Sequence, residues 1–253
     1  RVWEKLVNLK KNLKVIITGG SRGVGRGIAH VLHQANYEVI AIGKNKEATF
    51  LNPEIKYVQA DLSTSDGIEV ITELISFESP SILINCLGIE KNNEFTKTTK
   101  EDYDLVMRTN VTSHLELTKA VIPNMVKNGW GRIIFITSIW GIVGKQNRSL
   151  YTMSKFALHG LALSLADEYG KDGIRINCVA PGFVNIDETA VTGRGQTRNN
   201  LLASKVPVQR LAQPEEIGKT VKWLISEDSD YISGQVIVVD GGFQNSGSRG
   251  ESF

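Results

Sequence analysis

Cysteine and histidine are scarce in this sequence, and neither type is spaced as a metal site requires. The two cysteines, Cys86 and Cys178, each lie inside an apolar run, and the four histidines form no ligand set with them. Structural zinc sites draw their ligands from closely spaced Cys and His pairs. The sequence therefore predicts no metal, no disulfide framework, and buried thiols in a reducing compartment.

An excess of charge of either sign is also missing. The sequence has 29 Lys and Arg against 27 Asp and Glu, a net charge of +2, and its basic residues are dispersed. Nucleic-acid-binding surfaces concentrate basic side chains on one face, and no uninterrupted apolar run is long enough to cross a bilayer. We therefore expect no nucleic-acid or membrane partner and a cytoplasmic location. We interpret the opening RVWEKLVNLKK as a surface lead-in; if it is the remnant of a targeting segment, the location is organellar.

The overall composition is typical of one folded domain. The chain has 253 residues, of which 41% are hydrophobic and 22% charged, so it can bury one sizeable core. We predict a single domain over residues 1–253, with a lead-in at 1–13 and a C-terminal tail at 244–253.

Short β-branched runs alternate with longer helical patterns from Lys14 onward. Continuous apolar runs of strand length predict buried strands at 14–18, 37–42, 55–59, 81–85, 131–138, 174–180 and 235–240. The intervening patterns predict helices at 24–36, 66–78, 99–128, 149–170 and 214–227. The alternation indicates an α/β fold, Rossmann-type and doubly wound, with a seven-stranded parallel sheet and helices on both faces.

Residues 185–205 form the longest stretch without clear periodicity, and Gly193 and Gly195 loosen it further. Long irregular segments in compact domains are commonly lids or binding loops. We therefore predict a substrate lid here, in which Arg194 and Arg198 could meet a phosphate or carboxylate.

The first predicted strand runs directly into the glycine-rich stretch TGGSRGVGRGIAH, Thr18 to His30. Gly19, Gly23 and Gly25 allow a tight turn and a close backbone approach, and the amides at a helix start attract phosphate. Such a turn after the first strand of a parallel sheet predicts a dinucleotide site.

The end of the second predicted strand indicates which dinucleotide is bound. NAD-binding proteins usually place an Asp or Glu there for the ribose hydroxyls, but this strand ends in AIGKN, without an acid. Lys44, together with Arg22 in the glycine turn, suits a phosphate, so the sequence favours NADP(H) over NAD(H). Asp61, after the third strand, can cap the next helix or accept from the adenine amine.

Tyr151 and Lys155 lie one helical turn apart in the stretch SLYTMSKFALHG. Such a pair occurs by chance in many helices, and alone it would be structural. Reduction of a ketone needs a positioned proton donor, and a nearby ammonium lowers the pKa of a phenol. Behind a glycine turn, and preceded by Asn110 and by Ser138 at a strand end, the pair predicts proton transfer to a carbonyl oxygen.

These stretches, in this order and spacing, resemble the single-domain branch of the short-chain dehydrogenase/reductase family. The resemblance runs from about Lys14 to Phe243 and includes Thr18-Gly19-x-x-x-Gly23-x-Gly25, Asp61-Leu62, NCLG at 85–88, Tyr151-x-x-x-Lys155, PGFV at 181–184 and Asp240-Gly241-Gly242. It is strongest toward 3-oxoacyl-acyl-carrier-protein reductases.

The resemblance implies specific roles for named residues. It implies a catalytic set of Asn110, Ser138, Tyr151 and Lys155, in which Asn110 holds a water in a kinked helix and links Lys155 to solvent. It implies that NADP(H) contacts Gly19, Ser21, Arg22, Gly23, Val24, Gly25, Lys44, Asp61, Leu62, Asn85, Gly88, Tyr151, Lys155, Pro181, Gly182 and Val184.

Some positions depart from the family pattern. Cys86 and Leu87 replace an Asn and an Ala, and Ile186 replaces a Thr that contacts the cofactor in many relatives. Asp172 lies where the acyl-carrier reductases tend to be basic, which weakens the carrier-protein reading while leaving hydride transfer intact.

The sequence thus predicts an NADP(H)-dependent carbonyl reductase, with 3-oxoacyl thioesters on acyl-carrier protein or CoA as the first candidate substrates. A sugar-acid or polyol dehydrogenase is the alternative, and a non-catalytic NADP-binding sensor or scaffold is a more remote one. We expect Trp140 and Arg148 to line the substrate pocket. Family members commonly pair through their fourth and fifth helices, which implies a homotetramer or homodimer.

Overall fold

A computed structural model describes residues 13–46, 48, 52–186 and 193–246. In these residues the chain forms a seven-stranded, fully parallel sheet in the order β3-β2-β1-β4-β5-β6-β7. The strands are β1 (Lys14–Thr18), β2 (Glu38–Gly43), β3 (Lys56–Gln59), β4 (Ile82–Asn85), β5 (Gly131–Ile136), β6 (Ile174–Pro181) and β7 (Val236–Val239). The predicted fold class is confirmed.

Helices cover both faces of the sheet. They are α1 (Gly23–Gln34), α2 (Ser65–Glu78), α3 (Lys100–Met107), α4 (Ser113–Asn128), α5 (Ser149–Tyr169), α6 (Gly193–Ala203) and α7 (Pro214–Leu224). One apolar core joins the sheet to α2, α4 and α5, and a second joins it to α1 and α7. Because neighbouring strand residues point to opposite faces, Ile16 enters the first core and Ile17 the second. No helix in the described part of the chain has both the length and the apolar character to cross a membrane.

The predicted helix at 99–128 is interrupted. Residues Arg108–Thr112 form a π turn between α3 and α4, and Asn110 lies buried inside it. Periodicity does not reveal such a turn, because the apolar rhythm continues on both sides of it. Single π turns in helices frequently mark functional sites.

The predicted irregular segment 185–205 contains a helix, α6, that the sequence analysis missed. Its sequence GRGQTRNNLLA has two glycines and few apolar residues, so it produces no clear apolar period. The amide nitrogen of Asn199 donates to Oδ1 of Asn185 at 3.4 Å. Part of the predicted lid, 187–192, lies outside the described residues, as do most of the predicted lead-in and tail.

Candidate active site

The glycine turn joins β1 to α1 and is packed too tightly for side chains at two positions. Gly19 has a φ of 66°, in the left-handed region that favours glycine. A methyl group on Gly25 would lie 2.3 Å from the carbonyl oxygen of Gly19. Arg22 precedes α1 with an extended backbone and makes no side-chain cap. The first amides of α1 therefore face the turn without a side-chain acceptor, as phosphate binding requires.

A cavity of about 350 Å³ opens beside this turn, at the carboxyl ends of the first four strands. Parallel α/β sheets bind ligands at this edge, where the strand order reverses between β1 and β4. The cavity brings together seven of the residues predicted to bind the cofactor, which are Gly19, Ser21, Arg22, Lys44, Asp61, Leu62 and Gly88.

The other predicted cofactor residues lie around this cavity or behind it. Gly23, Val24 and Gly25 form the first turn of α1. Pro181 ends β6, and beyond it Val184 bridges to Ala212. The side chain of Asn85 instead donates to the Thr118 hydroxyl on α4 at 3.2 Å and is fully buried.

Thr18 is a residue of this site that the sequence analysis did not assign. Its hydroxyl accepts from the backbone amides of Cys86 at 3.0 Å and Leu87 at 3.1 Å. These bonds tie the end of β1 to the end of β4 and hold both edges of the cavity in register. A buried Thr at the end of a strand is the only sequence signal for this role.

Asp61 faces the cavity as a carboxylate. Its Oδ1 accepts from the backbone amide and the hydroxyl of Ser63, at 3.0 and 2.7 Å, and these bonds hold the pKa of Asp61 below its usual value. The N-cap of α2 is Thr64, whose hydroxyl accepts from the Gly67 amide at 3.1 Å. The alternative that Asp61 caps this helix is therefore wrong.

Lys155 is buried beneath the end of β5. Only 2% of the residue is exposed, and its amine donates to the carbonyl of Ile136 at 3.0 Å. Burial lowers the pKa of Lys155 to about 8. The Nζ atom lies 5.6 Å from the centre of the Tyr151 ring, so the predicted pair does meet on one face of α5.

Tyr151 departs from the electrostatic prediction. Burial raises the pKa of its phenol to about 12, while a hydrogen bond with Ser138 acts in the opposite direction. The sequence predicts a pKa lowered by Lys155. That expectation is wrong, because desolvation of the phenolate outweighs the hydrogen bond with Ser138 and the attraction of Arg148. The phenol is therefore held in its acid form at neutral pH.

Asn110 connects the π turn to the loop after β4. Its side-chain oxygen accepts from the amide of Ile89 and its amide donates to the carbonyl of Ile89, both at 2.9 Å. The same side-chain amide donates to the hydroxyl of Ser154 at 3.0 Å. Ser154 was not predicted as a site residue. These bonds fix the loop that carries Gly88, where a methyl group would lie 3.1 Å from Nζ of Lys155. Gly88 thus joins the cavity to the helix that carries Tyr151 and Lys155.

Ser138 and Trp140 lie just beyond the end of β5 and do not line this cavity. Ser138 accepts from the Trp140 amide at 3.2 Å. The Trp140 ring packs edge to face against Phe183 and Phe243, with ring centres 6.0 and 5.8 Å away. Neither phenylalanine was predicted as a site residue, because the two come from distant segments of the chain. Together the three rings form an aromatic cluster next to Ser138.

Arg148, the second predicted substrate residue, is engaged by a carboxylate. Its guanidinium donates to Glu90, which lines the cavity. Arg198 lies in α6. The side chain of Arg194 is outside the described residues. Ile186, at the departure from the family pattern, lies over the glycine turn beside Gly23.

The residues present fit a nicotinamide dinucleotide. The uncapped start of α1, the cations Arg22 and Lys44, and the carboxylate of Asp61 surround one cavity, and the close approach at Gly88 leads to Tyr151 and Lys155. Fold and site together define a nicotinamide-dependent oxidoreductase.

Comparison with known proteins gives the same class and a family. A family model described as Enoyl-(Acyl carrier protein) reductase matches residues 19–244. The 3-oxoacyl-acyl-carrier-protein reductase FabG of Vibrio cholerae serotype O1 (strain ATCC 39315 / El Tor Inaba N16961) is 32% identical over 234 residues, which are 90% of this chain and 95% of that protein. The chain belongs to the short-chain dehydrogenase/reductase family and is an NAD(P)-dependent enzyme.

Solved structures of dehydrogenases have the same fold. A 4-hydroxyisoleucine dehydrogenase complexed with NADH superimposes with a TM-score of 0.83 at 27% identity, covering 92% of this chain and 99% of that one. A protein of Beutenbergia cavernae with bound NADP, provisionally assigned as an NAD(P)-dependent gluconate 5-dehydrogenase, has a TM-score of 0.83 at 29% identity, covering 92% and 97%.

Proposed function

We propose that this enzyme uses NADP(H) to interconvert a ketone and a secondary alcohol, and that its substrate is a 3-oxoacyl thioester carried on acyl-carrier protein or CoA. The observation that carries the proposal is the half-buried Tyr151 phenol, hydrogen-bonded to Ser138 and adjacent to the buried Lys155. The similarity to 3-oxoacyl reductases supports the substrate class.

The side chains of the site support reduction at neutral pH. The cofactor supplies the hydride when bound. Negative charge then develops on the carbonyl oxygen and needs a proton and hydrogen-bond donors. A pKa of about 12 keeps the proton on Tyr151, where it is available to that oxygen, and Ser138 is the second donor. Lys155, with a pKa of about 8, can return a proton to Tyr151.

Asn110 has a positioning role in this proposal. Its amide holds the loop of Gly88 and Ile89 and the hydroxyl of Ser154, so the surroundings of Lys155 are rigid. A water link from Lys155 to solvent, implied by the family resemblance, stays a prediction.

Replacing the phenol tests the proton donor. Tyr151→Phe keeps the ring and removes the hydroxyl, so we expect reduction of acetoacetyl-CoA to fall by about 10²- to 10⁴-fold. NADPH absorbance gives the rate, and fluorescence titration with NADPH shows whether the site still binds the cofactor. Full activity of the variant would mean that another group delivers the proton.

The preference for NADP(H) is argued from charge. Arg22 and Lys44 line the cavity, and the described residues directly after β2, 44–46, include no acid. Side chains of β3 hold this loop, since Gln59 donates to the Lys44 carbonyl at 3.1 Å and Tyr57 to the Asn45 carbonyl at 2.6 Å. A guanidinium and an ammonium suit a 2′-phosphate.

Steady-state kinetics with both cofactors tests this preference. We expect kcat/KM to be at least about tenfold higher with NADPH than with NADH, and Lys44→Gln to reduce that ratio by roughly a factor of ten. Lys46→Gln is the matched control, because Lys46 does not line the cavity. Faster turnover with NADH in the unmodified enzyme would overturn the assignment.

A sugar-acid or polyol dehydrogenase is the second candidate. The solved structure provisionally assigned as a gluconate 5-dehydrogenase supports it. Parallel assays with acetoacetyl-CoA and 5-keto-D-gluconate separate the two, and inactivity on both would favour the non-catalytic alternative. The pairing of Tyr151 with the buried Lys155 argues against a pure binder, which needs neither group.

We further propose that the enzyme assembles as a homotetramer or homodimer. Helix α5 exposes large apolar side chains in the single chain, namely Met153, Phe156 and Leu163. Pairing through α4 and α5 would cover them, and light scattering measures the assembly directly. The cytoplasmic location stays a prediction, consistent with Cys86 and Cys178 being free.

A further inference from the structure

An ion pair links the two walls of the site. Arg148 directly precedes α5 and lies three residues before Tyr151. Its guanidinium donates to a carboxylate oxygen of Glu90, a residue 58 positions earlier in the loop after β4. Glu90 also lines the cavity. The pair therefore bridges the cofactor side of the site and the start of the catalytic helix.

Both members of this pair lie near the reacting phenol. The pKa of Tyr151, which burial raises first of all, is raised further by Glu90 and lowered by Arg148. Arg148 directly precedes the helix that carries Tyr151 and pairs with Glu90, so the ion pair lies at the end of the helix that presents the phenol.

Other cations of this region have different surroundings. Lys91, next to Glu90, forms an ion pair with Asp102 at 3.1 Å. Lys155 is buried and donates to Ile136. Lys145 lies over the Trp140 ring, 5.7 Å from its centre. Of these four cations, Arg148 is the one that stands at the start of the helix carrying Tyr151, where it can meet an anionic group beside the carbonyl, and Glu90 already neutralises it.

We propose that Glu90 determines substrate specificity by masking Arg148, so that the site takes ketones that are uncharged beside the carbonyl and rejects oxo acids. This inference rests on the proposed function and narrows its substrate class to neutral 3-oxo esters and thioesters. A substrate carboxylate would have to displace Glu90 or lie next to it, and like charges at short distance repel. The aromatic cluster of Trp140, Phe183 and Phe243, next to Ser138, offers an apolar surface that suits an ester chain.

Acetoacetate and ethyl acetoacetate test the inference, because they share a 3-oxo skeleton and differ in charge. We expect the unmodified enzyme to prefer the ester. In Glu90→Gln, the freed guanidinium can form a charge-assisted hydrogen bond with acetoacetate. The ratio of kcat/KM for acetoacetate to kcat/KM for the ester should then rise about tenfold or more, mainly through KM. Any effect of the variant on cofactor binding cancels in this ratio.

Two further variants show whether Arg148 causes the gain. Adding Arg148→Gln to Glu90→Gln should return the ratio to the value of the unmodified enzyme. Glu94→Gln is the matched control: Glu94 pairs with Lys97 at 2.8 Å on the surface and does not line the cavity, so the ratio should not change. An unchanged ratio in Glu90→Gln, or a gain that survives the loss of Arg148, would overturn the inference while the ester is still reduced.

Calorimetric titration of acetoacetate into the cofactor-free protein gives a readout that does not need turnover. We expect at least about tenfold tighter binding to Glu90→Gln than to the unmodified protein, and no gain in the double variant. Equal binding by the single variant and the unmodified protein counts against masking. Absence of turnover with every ketone, acetoacetyl-CoA included, overturns the proposed function instead. The titration then still tests whether Glu90 masks Arg148.

Discussion

At the scale of single residues, the site owes its chemistry to burial. Tyr151 is half-buried and Lys155 is buried, and burial moves their pKa values in opposite directions, to about 12 and about 8. Each shift favours the neutral form, since the charged form loses its hydration. The proton therefore stays on the phenol, and the amine can release one near physiological pH.

The burial of Lys155 should cost stability. A pKa of about 8 in the folded chain, against 10.5 for an unperturbed lysine, corresponds to about 3 kcal/mol. The cost is fully present below pH 8, where the ammonium is charged in both states. It disappears as the pH rises from 8 to 10.5, because only the unfolded chain still binds the proton there. Stability from this group thus rises with pH in that window.

Lys155→Met should accordingly stabilise the fold at pH 7 while impairing reduction. We expect a gain of about 2 kcal/mol in the free energy of unfolding, since the Ile136 carbonyl loses its donor and offsets part of the relief. Urea unfolding at pH 7 and pH 10 measures it, and the gain should shrink at the higher pH. Lys119→Met, at an exposed lysine paired with Glu116, is the control and should change stability by less than about 0.5 kcal/mol. A destabilised Lys155→Met would contradict the assigned cost.

At the scale of elements, helix ends and one helix interruption position the site. The start of α1 faces the glycine turn without a side-chain cap, whereas α2 and α7 begin with caps from Thr64 and from Gln213 with Glu216. The π turn between α3 and α4 is the element that carries Asn110 to the loop after β4. Under the proposed function, the uncapped start of α1 is where the cofactor phosphates bind, whereas the caps of α2 and α7 contribute stability.

Removing the cap of α2 should destabilise the fold. In Thr64→Ala the Gly67 amide loses its acceptor, and we expect a loss of about 1 kcal/mol in the free energy of unfolding. Thr72→Ala, within the same helix, removes the same atoms away from the helix start, and Ala favours a helix. Denaturant titration measures the free energy of unfolding of both variants. Equal losses of this free energy in the two variants would argue against a capping role for Thr64.

At the scale of the whole molecule, the sheet order places the site. The chain leaves β1 for β2 and β3 on one side and returns to β4 on the other, so the cavity opens where these directions diverge. Helices α1 and α7 cover one face and cross closely at Gly27 and Gly218. Close packing here keeps the start of α1 in position for the dinucleotide.

Gly27→Ala tests that crossing. The added methyl group would lie 2.4 Å from Cβ of Pro214, so the helices must separate, and we expect a loss of about 1–3 kcal/mol in the free energy of unfolding. Gly170→Ala, directly after α5, has open space around the position and a right-handed helical backbone, so it should instead stabilise by about 0.4–1 kcal/mol. Thermal unfolding compares the two, and similar effects at both sites would contradict the packing argument.

Much of the fold and of the site could be predicted from local patterns. The alternation of apolar runs and helical periods predicts the seven strands, and strand ends differ by one or two residues, as at Ser138, which lies just beyond β5. Helix α6 and the π turn at Asn110 escaped prediction, because a polar helix and a local change of hydrogen bonding leave no apolar period.

By itself the sequence determined the parallel sheet, the glycine turn and the one-turn spacing of Tyr151 and Lys155, since each depends on residues close together in the chain. Only the tertiary structure decided that burial raises the pKa of Tyr151 and that Glu90 neutralises Arg148. It also decided that Trp140 meets two phenylalanines. Burial and charge pairing join segments that are far apart in the chain, so the pattern of neighbouring residues does not encode them.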